Sequence, residues 1–515
     1  MSSPAGVARI PRQIPFIIGN EGCERFSFYG MRNILTVFLV SSLLADLPQA
    51  ERAGAAKDVF HAFVVGVYFF PLLGGWLADR FFGKYRTILW LSLVYCCGHL
   101  CLALFESSRV GFYTGLALIA LGAGGIKPCV ASFVGDQFDR RTKHWAKVVF
   151  DAFYWIINFG SFFASLLMPI FLRSFGPAIA FGIPGVLMFL STIILWAGRP
   201  RYVMMPPTPP EPDSFLNIAH TTLLASPGGR VFAFMAVTAA LASLLLIPAL
   251  GIQFVVICLC CALVSILFFG GIGMWRGLEA ARAEHDEEAI EGARSVLRVL
   301  VLFALVTPFW SLFDQKASTW VLQADAMSKP AWFESSQMQA LNPLLVMLLI
   351  PFNNLVLYPA LKRRGYEMTA LRRMTCGISF SGLAWIVVGV MQLALDASLG
   401  VSIVWQVLPY ALLTFGEVLV SATGLEFAYS QAPAAMKGVL MSFWNLSVTI
   451  GNLWVLVVNA GMRRRTVTDA IASTGFGVMA CQMFFFAAFA LVAALAFWWC
   501  ARHYPVKDYY RAGGA

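Results

Sequence analysis

Charge is scarce in this sequence. Asp, Glu, Lys and Arg supply 12% of its 515 residues, where an ordinary soluble domain carries about 25%. With 59% hydrophobic residues and a mean hydropathy of +0.74, this excludes a water-soluble globule and leaves a polytopic membrane protein. Other shortages narrow the class further. There is no G-x-x-x-x-G-K-[ST] loop, which argues against ATP as the driving force. No nucleophile–base pair or metal motif appears, so an enzyme is disfavoured and neither metal nor cofactor is expected. Cys96, Cys97 and Cys101 beside His99 are metal-like by type, but they lie in an apolar span without carboxylates and read as small-residue packing. The eleven cysteines sit almost entirely in apolar spans, so no disulfide framework is expected. The first apolar run is too long, and too polar on one face, for a cleavable signal peptide.

What the sequence does have is apolar length. Runs able to span a bilayer recur fourteen times, from 14–44 to 475–500. Six come first and six last, giving an N-terminal bundle at 1–198 and a C-terminal bundle with a tail at 297–515. Between them, 199–296 holds an extra pair of spans, 231–250 and 252–274, flanked by polar linkers. The Pro-rich run 206–212 keeps the first linker non-helical, and 279–291 reads as a solvated amphipathic helix. The pair carries almost no intramembrane charge and is expected at the periphery.

The formal net charge of +10 does not point to nucleic acid, because the basic residues lie in short loops between spans. Placing both termini in the cytoplasm puts roughly two-thirds of Lys and Arg inside. The main clusters are Lys84 with Arg86, Arg140 to Lys147, Lys362 to Arg364, and Arg372 with Arg373. Arg463, Arg464 and Arg465 break the rule and would face outward, against lipid headgroups.

The densest chemistry lies in the first span. Glu21, Glu24, Arg25, Phe28, Tyr29 and Arg32 follow helical spacing and share one face. An ionised group at membrane depth costs several kcal/mol and is kept for a partner or a pathway. Four charges are too many for a helix cap. The stripe therefore predicts the wall of a polar cavity that binds a charged solute and moves protons. Lys127, in the middle of the fourth span, needs a carboxylate partner, and Glu21 or Glu24 is the expected one.

Three local patterns resemble known families. The stretch from Gly75 through Asp79 and Arg80 to Lys84 resembles the loop signature of the major facilitator superfamily, with one extra residue before Gly83. Asp79 and Arg80 are the expected rim ion pair. Glu21, Glu24 and Arg25 match the E-x-x-E-R motif of the proton-dependent oligopeptide transporters, and Phe153 to Ser161 matches their F-Y-x-x-I-N-x-G-S signature. The resemblance covers nearly the whole chain. It implies an all-α membrane protein of the major facilitator fold: two six-helix bundles plus two further helices, fourteen in all. It implies a monomeric symporter of di- and tripeptides driven by protons, in a bacterial inner membrane.

The resemblance also assigns roles. Glu21, Glu24, Arg25, Asp314 and His61 would couple protons. Arg32 and Lys127 would hold the peptide carboxylate, and Glu417 its ammonium. Asn158 and Asn342 would bond the peptide backbone, while Phe28, Tyr29, Tyr68, Trp310 and Trp444 would line roomy side-chain pockets. Asp79, Arg80, Lys127 and Pro351 would gate. Lys316 departs from the family, and either pairs with Asp314 or sits in the outer vestibule. His61 is a solvated residue at a helix start or takes the proton role of the animal branch. An anion carrier on the same scaffold, nitrate-like or for another small solute, would keep Arg32 and Lys127 but not need Glu417. A non-transporting sensor ranks lower, for want of a signalling domain.

Overall fold

The protein is described by a computed structural model covering residues 10–139, 142, 145–207, 212–250, 255–431 and 436–506. Arg140, Arg141, Lys143 and residues 208–211 of the Pro-rich run lie outside the described residues.

Thirteen described helical stretches are long and apolar enough to cross a membrane. The longest, Val148–Arg201, contains two crossings, so fourteen result. They are α1 (Ile14–Phe38), α2 (Gln49–Leu77), α3 (Lys84–Leu104), α4 (Arg109–Asp136), α5 (146–175) and α6 (177–197). Then follow α7 (Pro227–Leu245), α8 (Val255–Gly277), α9 (Glu287–Asp314), α10 (Leu341–Phe352), α11 (Ala370–Asp396), α12 (Val407–Ser430), α13 (Lys437–Met462) and α14 (Val478–His503). The break between α5 and α6 is Gly176, at φ 81° and ψ 174°. That region is open essentially to glycine alone. Pro177 follows and restarts the helix at a fixed φ.

The buried apolar side chains form two large clusters. One is drawn from α1 to α6, the other chiefly from α9 to α14. Within the N-terminal cluster, polar ties cross the helices: the Asn20 amide donates to Ser191 Oγ at 2.6 Å, and Ser27 meets His99 Nε2 at 3.0 Å. The cysteine-flanked His99 is therefore a buried packing residue bonded to a serine. Helices α2 and α4 touch backbone to backbone. A Cβ on Gly74 would lie 2.1 Å from the Gly124 carbonyl oxygen. Small residues of this kind let membrane helices pack without a hydrophobic driving force.

Several boundaries differ from the apolar runs. Helix α2 begins at Gln49, nearly three turns ahead of its apolar run, so a polar helical segment precedes the membrane-depth part. The 279–291 segment is not a helix of its own. A short turn at Ala280–Ala283 buries Ala281, and α9 starts at Glu287 after Asp286. Acidic Glu287 and Glu288 occupy its first turn, where the helix dipole favours them. The first linker contains a short helix, Phe215–Ala225, tied to the second by His285, whose ring meets Asp213 at 2.9 Å and Thr221 at 3.1 Å. The inserted pair is mostly exposed. Yet α8 buries Cys260 against Val65 and Phe69 of α2, with Leu453 and Leu456 of α13 beside them. It thus seats on the seam between the bundles.

The glycine contact has a measurable consequence. Gly74→Ala should lower the melting temperature of the purified protein, because overpacking typically costs about 1–3 kcal/mol. Gly438→Ala on α13, where a Cβ meets nothing within 4 Å, should leave it unchanged. Equal melting curves for both variants would reject the close contact.

Candidate functional site

The site is built where helix geometry forces charged groups inward. On α1, Arg25 Nε lies 2.8 Å from Glu21 Oε1 and 2.6 Å from Glu24 Oε2, all three residues buried. The Glu21–Arg25 spacing of one turn makes this pair local to the helix. Gly160 of α5 lets α1 approach: a Cβ there would stand 3.2 Å from the Gly22 carbonyl oxygen and 3.6 Å from Arg25 Cβ. One guanidinium serves two carboxylates, so one negative charge is left for a proton or another cation.

Lys127 forms no close ion pair with these carboxylates among the described residues, contrary to the expectation from sequence, although its charge still acts on Glu21 and Glu24. Its ammonium sits over aromatic faces, 4.3 Å from the Phe28 ring centre and 4.1 Å from that of Tyr68. Arg25 wins because it is one turn from Glu21 on the same helix, whereas Lys127 must reach across from α4. Ring quadrupoles hold the ammonium instead.

A second network joins the bundles. Arg32 of α1 donates to Asp314 Oδ1 at 2.6 Å, with both groups buried. Asn452 of α13 donates to Asp314 Oδ2 at 2.7 Å. With its amide nitrogen so used, its oxygen accepts from His61 Nδ1–H at 2.7 Å, and His61 Nε2 meets the Ser318 hydroxyl at 2.9 Å. His61 is therefore fully buried and twelve residues into α2, not a solvated helix start. Asp314 closes α9 just before a tight turn, Gln315–Ala317, which aims Lys316 elsewhere. Lys316 does not pair with Asp314. It donates to Asn342 Oδ1 at 2.8 Å and lies over the Phe313 ring. The Asn342 amide in turn donates to Glu417 Oε2 at 2.5 Å and to Thr414 at 3.0 Å. Glu417 also feels the charges of Lys316, Asp314 and Arg32.

The remaining expected residues are placed as follows. Asn158 donates to Tyr154 O of its own helix at 3.0 Å. Phe28 packs edge-on to Tyr29. Trp310 and Trp444 meet edge-on at 5.8 Å, deep in the C-terminal cluster, where Gly451 and Gly424 make room for them. Asp79 and Arg80 do not form the expected rim pair; Lys84, at the end of the same signature, bonds Asp136 of α4 at 2.7 Å instead. Asp79 is exposed, so water screens it. Pro351 points outward and precedes a widened turn at Asn353–Leu357, where α10 loses regular pitch.

Sequence reasoning missed most of the latch around this network. Thr36 donates to Ala317 O at 2.7 Å, Gln337 to Leu166 O at 2.9 Å, and Gln339 to Asn33 O at 3.2 Å. Lys57 donates to Gln482 at 3.2 Å, and Asp58 pairs with Arg463. All lie toward the end of the helices opposite the two termini. Arg463, the outlier of the charge rule, is thus held by Asp58, which a polar residue pair at two helix ends could have signalled. Breaking these latches should differ in scale. Asp314→Ala strands a buried guanidinium, worth about 3–5 kcal/mol, whereas Arg463→Gln removes a half-exposed pair worth about 0.2–1 kcal/mol. Double electron–electron resonance between labels at that end of α2 and α13 should show large widening in the first and little in the second. Identical distance distributions would reject this ranking.

Two six-helix bundles facing each other across buried, opposed charges define a membrane protein of the major facilitator type. The chain belongs to the POT family: the family model matches residues 85–473. It is similar to Peptide transporter family 2 of Caenorhabditis elegans, 34% identical over 409 residues, 76% of this chain and 48% of that protein. Solute carrier family 15 member 1 of Oryctolagus cuniculus is 31% identical over 437 residues, 78% of this chain and 55% of that protein. The chain thus spans about half the length of the curated relatives it matches. Among solved structures it is similar to an auto-inhibited POT family peptide transporter, at 64% identity, TM-score 0.94, covering 98% of this chain and 99% of that one. The POT family transporter PepTSo gives 62% identity, TM-score 0.94, covering 98% of this chain and 100% of that one.

Proposed function

We propose that this protein is a proton-coupled symporter that imports di- and tripeptides by alternating access. The observation that carries the reading is the division of charge between bundles. Cations Arg32 and Lys127 belong to the N-terminal bundle and the carboxylate Glu417 to the C-terminal one. A zwitterionic peptide fits such a division: its carboxylate faces the cations, its ammonium faces Glu417, and bound peptide draws the bundles together. An anion would have no use for Glu417, and the names of a curated relative and a solved structure similar to this chain speak of peptides. The Glu21–Glu24–Arg25 triad, with one carboxylate charge in excess, supports a proton role, as does the chain from Arg32 through Asp314 and Asn452 to His61. The distribution of Lys and Arg supports cytoplasmic termini in a cell membrane, the bacterial inner membrane on the sequence reading. In that orientation the latched end would face outward. The carrier works as a monomer.

Counterflow of labelled dialanine in liposomes with an imposed pH gradient tests the reading. Gradient-driven uptake should stop when a protonophore collapses the gradient; undiminished uptake would reject proton coupling. Glu417→Gln should weaken peptides with free amino termini by on the order of 1–3 kcal/mol, the scale of hydrogen bonds to charged groups. N-acetylated peptide should bind the native protein poorly and lose little more in the variant. Native protein that takes acetylated and free dipeptides equally would favour an anion carrier.

A further inference from the structure

We propose that the membrane-facing pocket at the terminus-side end of the N-terminal bundle is a binding site for an anionic phospholipid. It lies outside the solute site and does not depend on which solute is carried. The pocket holds about 1100 Å³ between the start of α3, the end of α4, the end of α6 and the linker that follows. It is a built feature. Gln137 clamps the linker from both sides: it accepts from the Val203 amide at 2.9 Å and donates to the Val203 carbonyl at 3.2 Å. Gly83 at φ 75° turns the chain sharply into α3 beneath Met205.

The walls divide by chemistry. At the mouth stand Lys84, Arg86 and Arg199. Lys84 is neutralised by Asp136 at 2.7 Å. Arg86 and Arg199 are exposed guanidiniums that form no ion pair among the described residues, so two positive charges remain. Tyr85, which lines the pocket and is only 7% exposed, has a hydroxyl without a hydrogen-bond partner in the protein. Next to these groups, Trp90 and Trp196 are 66% and 60% exposed, the placement of aromatic residues at a bilayer interface. A guanidinium pair, a free phenol and two lipid-level indoles match a phosphodiester headgroup with an acyl chain along α3 and α6. A neutral zwitterionic lipid brings its own ammonium to the same cations and is disfavoured. A free phosphate would leave the indoles without a function. The cytoplasmic leaflet, where the proposed topology puts this end, is the one richer in anionic lipid.

The test is native mass spectrometry of the full-length protein with phosphatidylglycerol or phosphatidylcholine of matched chains. Native protein should retain phosphatidylglycerol selectively. Arg86→Gln with Arg199→Gln should lower that retention by roughly tenfold or more, since each basic side chain near an anionic surface contributes on the order of fivefold. Trp90→Ala should weaken both lipids and keep the preference. The melting temperature and circular dichroism of each variant report that the fold survives. Equal retention of the two lipids by native protein, or unchanged retention in the double arginine variant, overturns the proposal. So does full displacement of lipid by inorganic phosphate, which would make the site a phosphate site.

Discussion

The structure depends on one constraint: no ion can stand alone inside a bilayer. Arg32 and Asp314 satisfy it by binding each other from opposite bundles. Their contact is a requirement of solvation as much as an attraction. If the bundles part, both groups need new partners or water. The bonds on the carboxylate side of the pair serve that condition. Asn452 fills the second carboxylate oxygen, His61 fills the amide oxygen of Asn452, and Ser318 fills the imidazole. A chain of such bonds inside a low dielectric is strong while complete and costly when one member is missing.

The latch is graded by depth. Nearest the middle, a buried ion pair carries the closure. Further out, side-chain amides and hydroxyls such as Thr36, Gln337 and Gln339 bond backbone carbonyls of the other bundle or its loops. At the rim, Asp58 and Arg463 meet near solvent. Water competes better at each step outward. Closure can therefore begin at the rim with weak, quickly exchanged contacts and finish in the interior with slow ones.

The helices were legible because the bilayer demands long apolar runs. The Glu21–Arg32 stripe was legible for the same reason in reverse, as charge where none is tolerated without a partner. Partner choice was not legible. Lys127 and the helix-1 carboxylates are complementary in charge, yet Arg25 sits closer by helical spacing, and aromatic rings leave no mark in a charge pattern. His61 was misplaced because Gln49 to Asp58 is polar and reads as loop, although it forms nearly three turns of helix beyond the membrane-depth segment. Asn452 was visible as a polar residue in an apolar helix, but only the fold shows that its amide has one neighbour on each side.

The two cations of the N-terminal bundle differ in readiness. Lys127 rests on aromatic faces and has no close ion pair to break. Arg32 must first release Asp314. A ligand that engages Lys127 alone meets its full intrinsic affinity. One that also engages Arg32 sees that affinity reduced by the fraction of molecules in which the pair is apart. The apparent dissociation constant of such a ligand therefore reads out the state of the latch, and any change that loosens the latch tightens the ligand.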